Sequence, residues 1–120
     1  MSNENNTNPE VMIQQNSQAL QIPPEVYLGI VKESIRESSQ GITYLENAIQ
    51  GNDVARIEAV SHQFKGVFGN LRITTVSVPA TQINELAKQE GNLDQIKKLF
   101  PQLKSAFEKL SLDFSKAGLE

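Results

Sequence analysis

The fold class predicted for this chain of 120 residues is all-α, an antiparallel up-down four-helix bundle with room for a short extra N-terminal helix. Three observations predict it. Apolar residues recur at steps of three, four and seven along successive segments, which is the spacing of one helical face. Gly, Pro, Asn and Asp punctuate the gaps between those segments. Strand-like alternation is absent, apart from a brief Thr75–Val78 stretch. Amphipathic helices on short turns cannot each bury a face alone, and a bundle with its stripes inward is the simplest solution.

Residues 1–21 stand apart from the rest. Asn, Gln, Ser and Thr dominate there, with Glu4 and Glu10 as the only charges. Such a segment buries too little apolar surface to offset chain ordering, and it reads as a flexible, solvated tail. Asn8-Pro9-Glu10 offers a short helix start, with Asn8 as N-cap and Pro9 at the first position. Val11, Met12 and Ile13 would then touch the body. The polar start at Met1 reads as a free-standing protein, and Leu119-Glu120 resembles the scar of a purification tag.

Residues 22–120 are expected to form the bundle. Pro23-Pro24 opens a long helix whose apolar stripe is Tyr27, Ile30, Val31, Ile35, Ile42, Leu45 and Ile49. Gly41 interrupts it, which suggests a bend or break near Ser38–Gly41. Gly51 reads as the C-cap, and Asn52-Asp53 supplies the next N-cap. The second helix runs from Val54 to about Gly69. The third covers Thr75 to about Gln89 and closes at Gly91, with Pro79 near its start. The fourth covers Leu93 to Ser115, and Pro101 predicts a kink within it. Five Phe and two Tyr are expected to supply the bulk of the core.

Composition closes off several kinds of function. The net charge is −3, which does not suit a nucleic-acid binder that must neutralise phosphates. No apolar run approaches the roughly 20 residues of a bilayer span, and no signal peptide is legible. A cytoplasmic protein without nucleic-acid or membrane partners is expected. Cysteine is absent, so disulfides, thiolate zinc sites and Cys nucleophiles are excluded. There is a single histidine, His62.

A helical wheel at about 100° per residue places that histidine. Ile57, Val60, Phe64, Val67, Phe68 and Leu71 form the core arc of the second helix. His62 lies opposite its centre. Gly66 and Gly69 fall within about 40° of His62 and Lys65 within about 60°. Glycine inside a helix costs roughly 0.5–1 kcal/mol against Ala, so two of them beside an exposed histidine lower the surface at a price in stability. A neutral imidazole nitrogen is a competent nucleophile. A lysine one turn on suits phosphoryl oxygens. A solvated surface histidine, a solvated lysine and a glycine at a helix end are the plain alternatives for each residue taken singly.

The run Ser61-His62-Gln63-Phe64-Lys65-Gly66-Val67-Phe68-Gly69-Asn70-Leu71 resembles the histidine-containing phosphotransfer (HPt) domain family, whose hallmark is His-x-x-Lys-Gly on a bundle helix. Asp53, nine residues before His62, and the Asn70-Leu71 pair also match, and the likeness covers about Ile22 to Leu112. The resemblance implies that His62 is the phosphorylated residue, that Lys65 interacts with the phosphoryl group and that Gly66 gives a partner access. Gly69 would support that access. The family often carries Gln or Glu near the imidazole on the next helix. The equivalent position by count is Asn84, which is shorter. Arg72 stands where the family commonly has Gly.

The implied activity is that of a phosphorelay intermediate taking a phosphoryl group from a receiver-domain aspartate and passing it to another receiver. The implied partners are receivers of a hybrid histidine kinase and of a downstream regulator. No cofactor of its own is expected, since the receiver would supply Mg²⁺. No P-loop or kinase nucleotide motif is present, so the chain is expected to be a monomeric carrier without kinase activity. Val54, Ala55, Ala59 and Val78 are the candidate partner-binding residues. One alternative is a non-catalytic helical module that binds receivers or kinases without being phosphorylated. Another is a hydrolase or metal site built on the Glu58/His62 pair, although that spacing equally gives an ordinary helix-surface pair.

Overall fold

A computed structural model describes residues 8–116, with side chains to Ser115. Residues 1–7 and 117–120, including Leu119-Glu120, lie outside the described residues. Among the described residues five helices follow one another: α1 (Pro9–Leu20), α2 (Pro24–Gln50), α3 (Val54–Asn70), α4 (Thr74–Ala87) and α5 (Leu93–Lys116). Helix α2 packs on α3, α3 on α4, α4 on α5, and α5 returns to α2, which closes a four-helix ring. Helix α1 leans on α2 outside it.

All five phenylalanines are buried in the ring. Phe64, Phe68 and Phe107 form its centre, with ring centroids 5.8–6.0 Å apart. Phe64 and Phe68 stack, and Phe107 meets both edge-on. Only one tyrosine joins them. Tyr27 has no exposed surface, whereas Tyr44 is 49% exposed. Ile30, expected in the α2 stripe, is 43% exposed. It sits about 100° from Val31 on the wheel, and the i, i+4 series Tyr27, Val31, Ile35 occupies the core in its place.

Segment 9–20 departs from the solvated tail that its composition suggests. Asn8 caps it, its Oδ1 accepting from the amides of Glu10 and Val11. Met12 and Ser17 are buried against the body. Asn16 Nδ2 donates to Tyr27 Oη at 3.0 Å and to the Arg72 carbonyl at 3.2 Å. Tyr27 Oη donates in turn to the Leu71 carbonyl at 2.6 Å. One buried methionine and this polar chain order a segment poor in apolar residues, because they bind it to a surface that the segment itself does not contain.

No break occurs at Gly41, and Pro101 does not end its helix. Gly41 serves a close approach between helices: a Cβ there would stand 2.7 Å from Phe64 Cε1. The turns also differ in detail. Gly51 caps α2 at φ −90°, and Asn52 takes the left-handed conformation at φ 56°. Asp53 then caps α3, accepting from the Arg56 amide at 3.2 Å. Between α3 and α4 the left-handed residue is Arg72, at φ 62°. That conformation explains why a glycine would suit the position.

Candidate functional site

Helix α3 is held by one face. Ile57, Ser61, Phe64 and Phe68 are buried toward the core, so their packing sets the direction of everything on the opposite side. His62, Gln63, Gly66 and Gly69 are exposed, and Lys65 is half-buried. Side chains on a helix lean toward its N-terminus, so Lys65, at i+3, points back along the turn that carries His62. The four ion pairs among the described residues involve neither Lys65 nor His62. Both are therefore free to engage a group brought from outside.

Among the described residues, neither packing nor backbone conformation requires the two glycines. A Cβ added at Gly66 or at Gly69 would meet nothing within 4 Å. Neither has a positive φ, a feature that among the described glycines belongs to Gly91 alone. Gly69 is thus not a helix-end glycine, since Leu71 is the C-cap and Arg72 makes the left-handed turn. Each glycine forgoes roughly 0.5–1 kcal/mol of helix stability that alanine would provide, with no compensation inside the molecule.

Ala55 and Ala59 are exposed on the same side of α3 and extend this low surface toward its N-terminus. Val54 is exposed too, but it lines a separate cleft of about 280 Å³ with residues of the α4–α5 turn. Val78 is 50% exposed on α4. Two apolar residues of this region were not anticipated. Val67, expected in the core, is 37% exposed, because it sits at the edge of the core arc facing α2. With Tyr44 it lines a groove of about 540 Å³ between α2 and α3, which also contains His62, Gln63, Gly66 and Asn70. Alternation within the α2 stripe was the available signal for Tyr44: position 44 lies one step off the Ile42, Leu45, Ile49 series.

Asn84 makes its hydrogen bonds to α3 itself and none to the imidazole. It is fully buried, and its Nδ2 donates to the Glu58 carbonyl at 3.0 Å and to Ser61 Oγ at 3.2 Å. Its side chain is too short to pass α3 and reach the outer face, so it stops at the helix backbone. Its Oδ1 is buried with no hydrogen-bond partner. Leaving such an oxygen unmatched costs about 1–3 kcal/mol. Glu58 is half-buried one turn before His62, and no group of three or more His, Asp or Glu able to hold a metal exists among the described residues.

The model of the Hpt domain matches residues 29–112, which takes in α3 with His62, Lys65 and Gly66. The chain belongs to the Hpt domain family. Hpt domains are helical bundles that carry phosphoryl groups on histidine in phosphorelays and interact there with receiver domains; they are carriers and not kinases. No curated protein and no solved structure matched the chain. No helix among the described residues is long and apolar enough to cross a membrane. Helix α1 lies wholly outside the segment that the Hpt model matches.

Proposed function

We propose that this Hpt domain is a phosphorelay intermediate with His62 as its phosphoryl acceptor. A ring nitrogen of His62 attacks the phosphorus of an aspartyl phosphate on a receiver. The N–P bond forms as the P–O bond to the aspartate breaks, and the aspartate leaves as a carboxylate. The reverse exchange, onto the aspartate of a second receiver, returns His62 to its free state. The Lys65 ammonium holds the phosphoryl oxygens, and the receiver contributes Mg²⁺ and an acidic pocket. The donor belongs to a hybrid histidine kinase and the final acceptor to a downstream regulator. The carrier acts as a cytoplasmic monomer.

The observation that carries this reading is the open space at Gly66 and Gly69 beside an exposed His62. A surface lowered at a cost to its own helix serves something that must come within bonding distance of the ring. Ala55 and Ala59 continue the low surface, Tyr44 and Val67 line the groove that holds His62, and Val54 and Val78 offer further exposed apolar contacts on α3 and α4. Such an interface suits weak, rapidly exchanging contact, as a relay between two partners requires.

The test is sequential transfer. The protein is loaded from a phosphorylated receiver, purified away from it, and mixed with a second receiver. The expected result is an acid-labile, alkali-stable phosphate that leaves the protein as the second receiver gains it. Tight binding of either receiver with no phosphate acquired would identify a non-catalytic module instead.

A further inference from the structure

We infer that Asn84 is a positioning residue for His62, acting through the backbone carbonyl of Glu58. In a regular α-helix the amide of residue 62 donates to the carbonyl of residue 58. That same Glu58 oxygen accepts from Ser61 Oγ at 3.2 Å and from Asn84 Nδ2 at 3.0 Å. Asn84 also donates to Ser61 Oγ, so one carboxamide on α4 grips the turn of α3 directly beneath the histidine. The orientation of the amide is unambiguous, since turning it over would set its oxygen against the Glu58 carbonyl.

Apart from the Tyr27 bond to the Leu71 carbonyl at its far C-terminal end, the rest of the α3 contact is apolar: Ile57, Val60, Phe64 and Phe68 are buried against the core. Apolar contact is non-directional and leaves a helix some freedom to turn about its own axis. A hydrogen bond between two helices is directional and removes that freedom. A His62 ring nitrogen lies about 6 Å from the helix axis, so a rotation of about 10° displaces it by about 1 Å. A displacement of that size costs in-line chemistry up to about 100-fold. The buried, unpartnered Oδ1 is what makes a packing role insufficient: leucine has nearly the same shape and would leave no unmatched oxygen. The asparagine keeps that defect together with the tether.

The inference rests on the phosphotransfer reading of His62, and two measurements on Asn84→Leu in the full chain separate the two ideas. Amide hydrogen exchange at His62 is expected to quicken at least 10-fold while exchange at Phe68 does not change. Transfer from a saturating phosphorylated receiver is expected to slow about 10- to 100-fold, with the receiver's Kd within twofold of wild type and the melting temperature equal or higher. Ile83→Val loosens the α4 core without touching the tether and should leave both readouts at wild-type values. If Asn84→Leu misfolds, Asn84→Ala provides the same comparison with no added bulk. Unchanged His62 exchange, an unchanged transfer rate alongside an active wild type, or an equal slowing in Ile83→Val each overturns the inference. A wild-type chain that takes no phosphate overturns the phosphotransfer reading itself, and with it any use of the tether in transfer.

Discussion

Replacing Gly41 with alanine tests how closely α2 and α3 approach beneath the histidine. The new Cβ would stand 2.7 Å from Phe64 Cε1 and 3.2 Å from Cζ. Carbon atoms sit comfortably at about 3.5–4.0 Å, so the pair must separate by roughly 0.8 Å or more. The Phe64 ring is buried, stacked on Phe68 and met edge-on by Phe107, which limits how far it can give way. Ring and helices must shift together, and overpacking of this kind costs about 1–3 kcal/mol. Better helix propensity returns about 0.5–1 kcal/mol. The expected balance is a loss of about 1–2 kcal/mol, read by urea denaturation as a lower midpoint at constant slope. For a chain of this size that corresponds to a melting temperature lower by about 4–8 °C. Equal or greater stability in Gly41→Ala would refute the close packing of Gly41 on Phe64, and with it the account of why α2 carries a glycine in mid-helix.

Gly66→Ala should behave in the opposite sense. With open space at the position it stabilises the fold by about 0.5–1 kcal/mol in the same urea assay, yet phosphate uptake from a receiver slows. Arg72→Gly relieves a left-handed backbone and is expected to add about 0.5–1 kcal/mol, measured by calorimetry, without altering uptake. Tyr27→Phe deletes the donor to Leu71 and the acceptor for Asn16, and should cost about 1–2 kcal/mol. Burial pushes the Tyr27 phenol above its usual value of 10.0, against a smaller lowering by the Asn16 hydrogen bond. The folded state therefore keeps a proton that the unfolded chain loses, and stability falls as pH rises from about 10 through the raised folded value. Urea titrations across that range should show the alkaline loss in wild type and a smaller one in Tyr27→Phe.

The helices and the outward direction of His62 were legible in the sequence because both follow from a periodicity of 3.6 residues, which is local. The stripe of buried phenylalanines and the caps at Asn8 and Asp53 are likewise local. What was not legible depends on residues distant in the chain. Gly41 reads as a break until Phe64 is seen against it. Segment 9–20 reads as a tail until Tyr27, Leu71 and Arg72 are gathered to meet Asn16. Tyr44 and Val67 look like core by residue type, and only the α2–α3 crossing decides that they line a groove. Asn84 was placed at the correct level of α4, but wheel arithmetic does not reveal that a short amide ends on the α3 backbone and not at the ring.

The central claim is that His62 is the phosphoryl acceptor, and having a single histidine makes it directly testable. Wild-type protein and His62→Gln are incubated with a phosphorylated receiver, and the phosphohistidine content of each chain is measured. The account predicts acid-labile phosphate on His62 of the wild type, rising as the receiver's aspartyl phosphate falls, and none on the variant. Phosphate acquired equally by His62→Gln, or no phosphate on the wild type from any receiver that binds it, would contradict the claim.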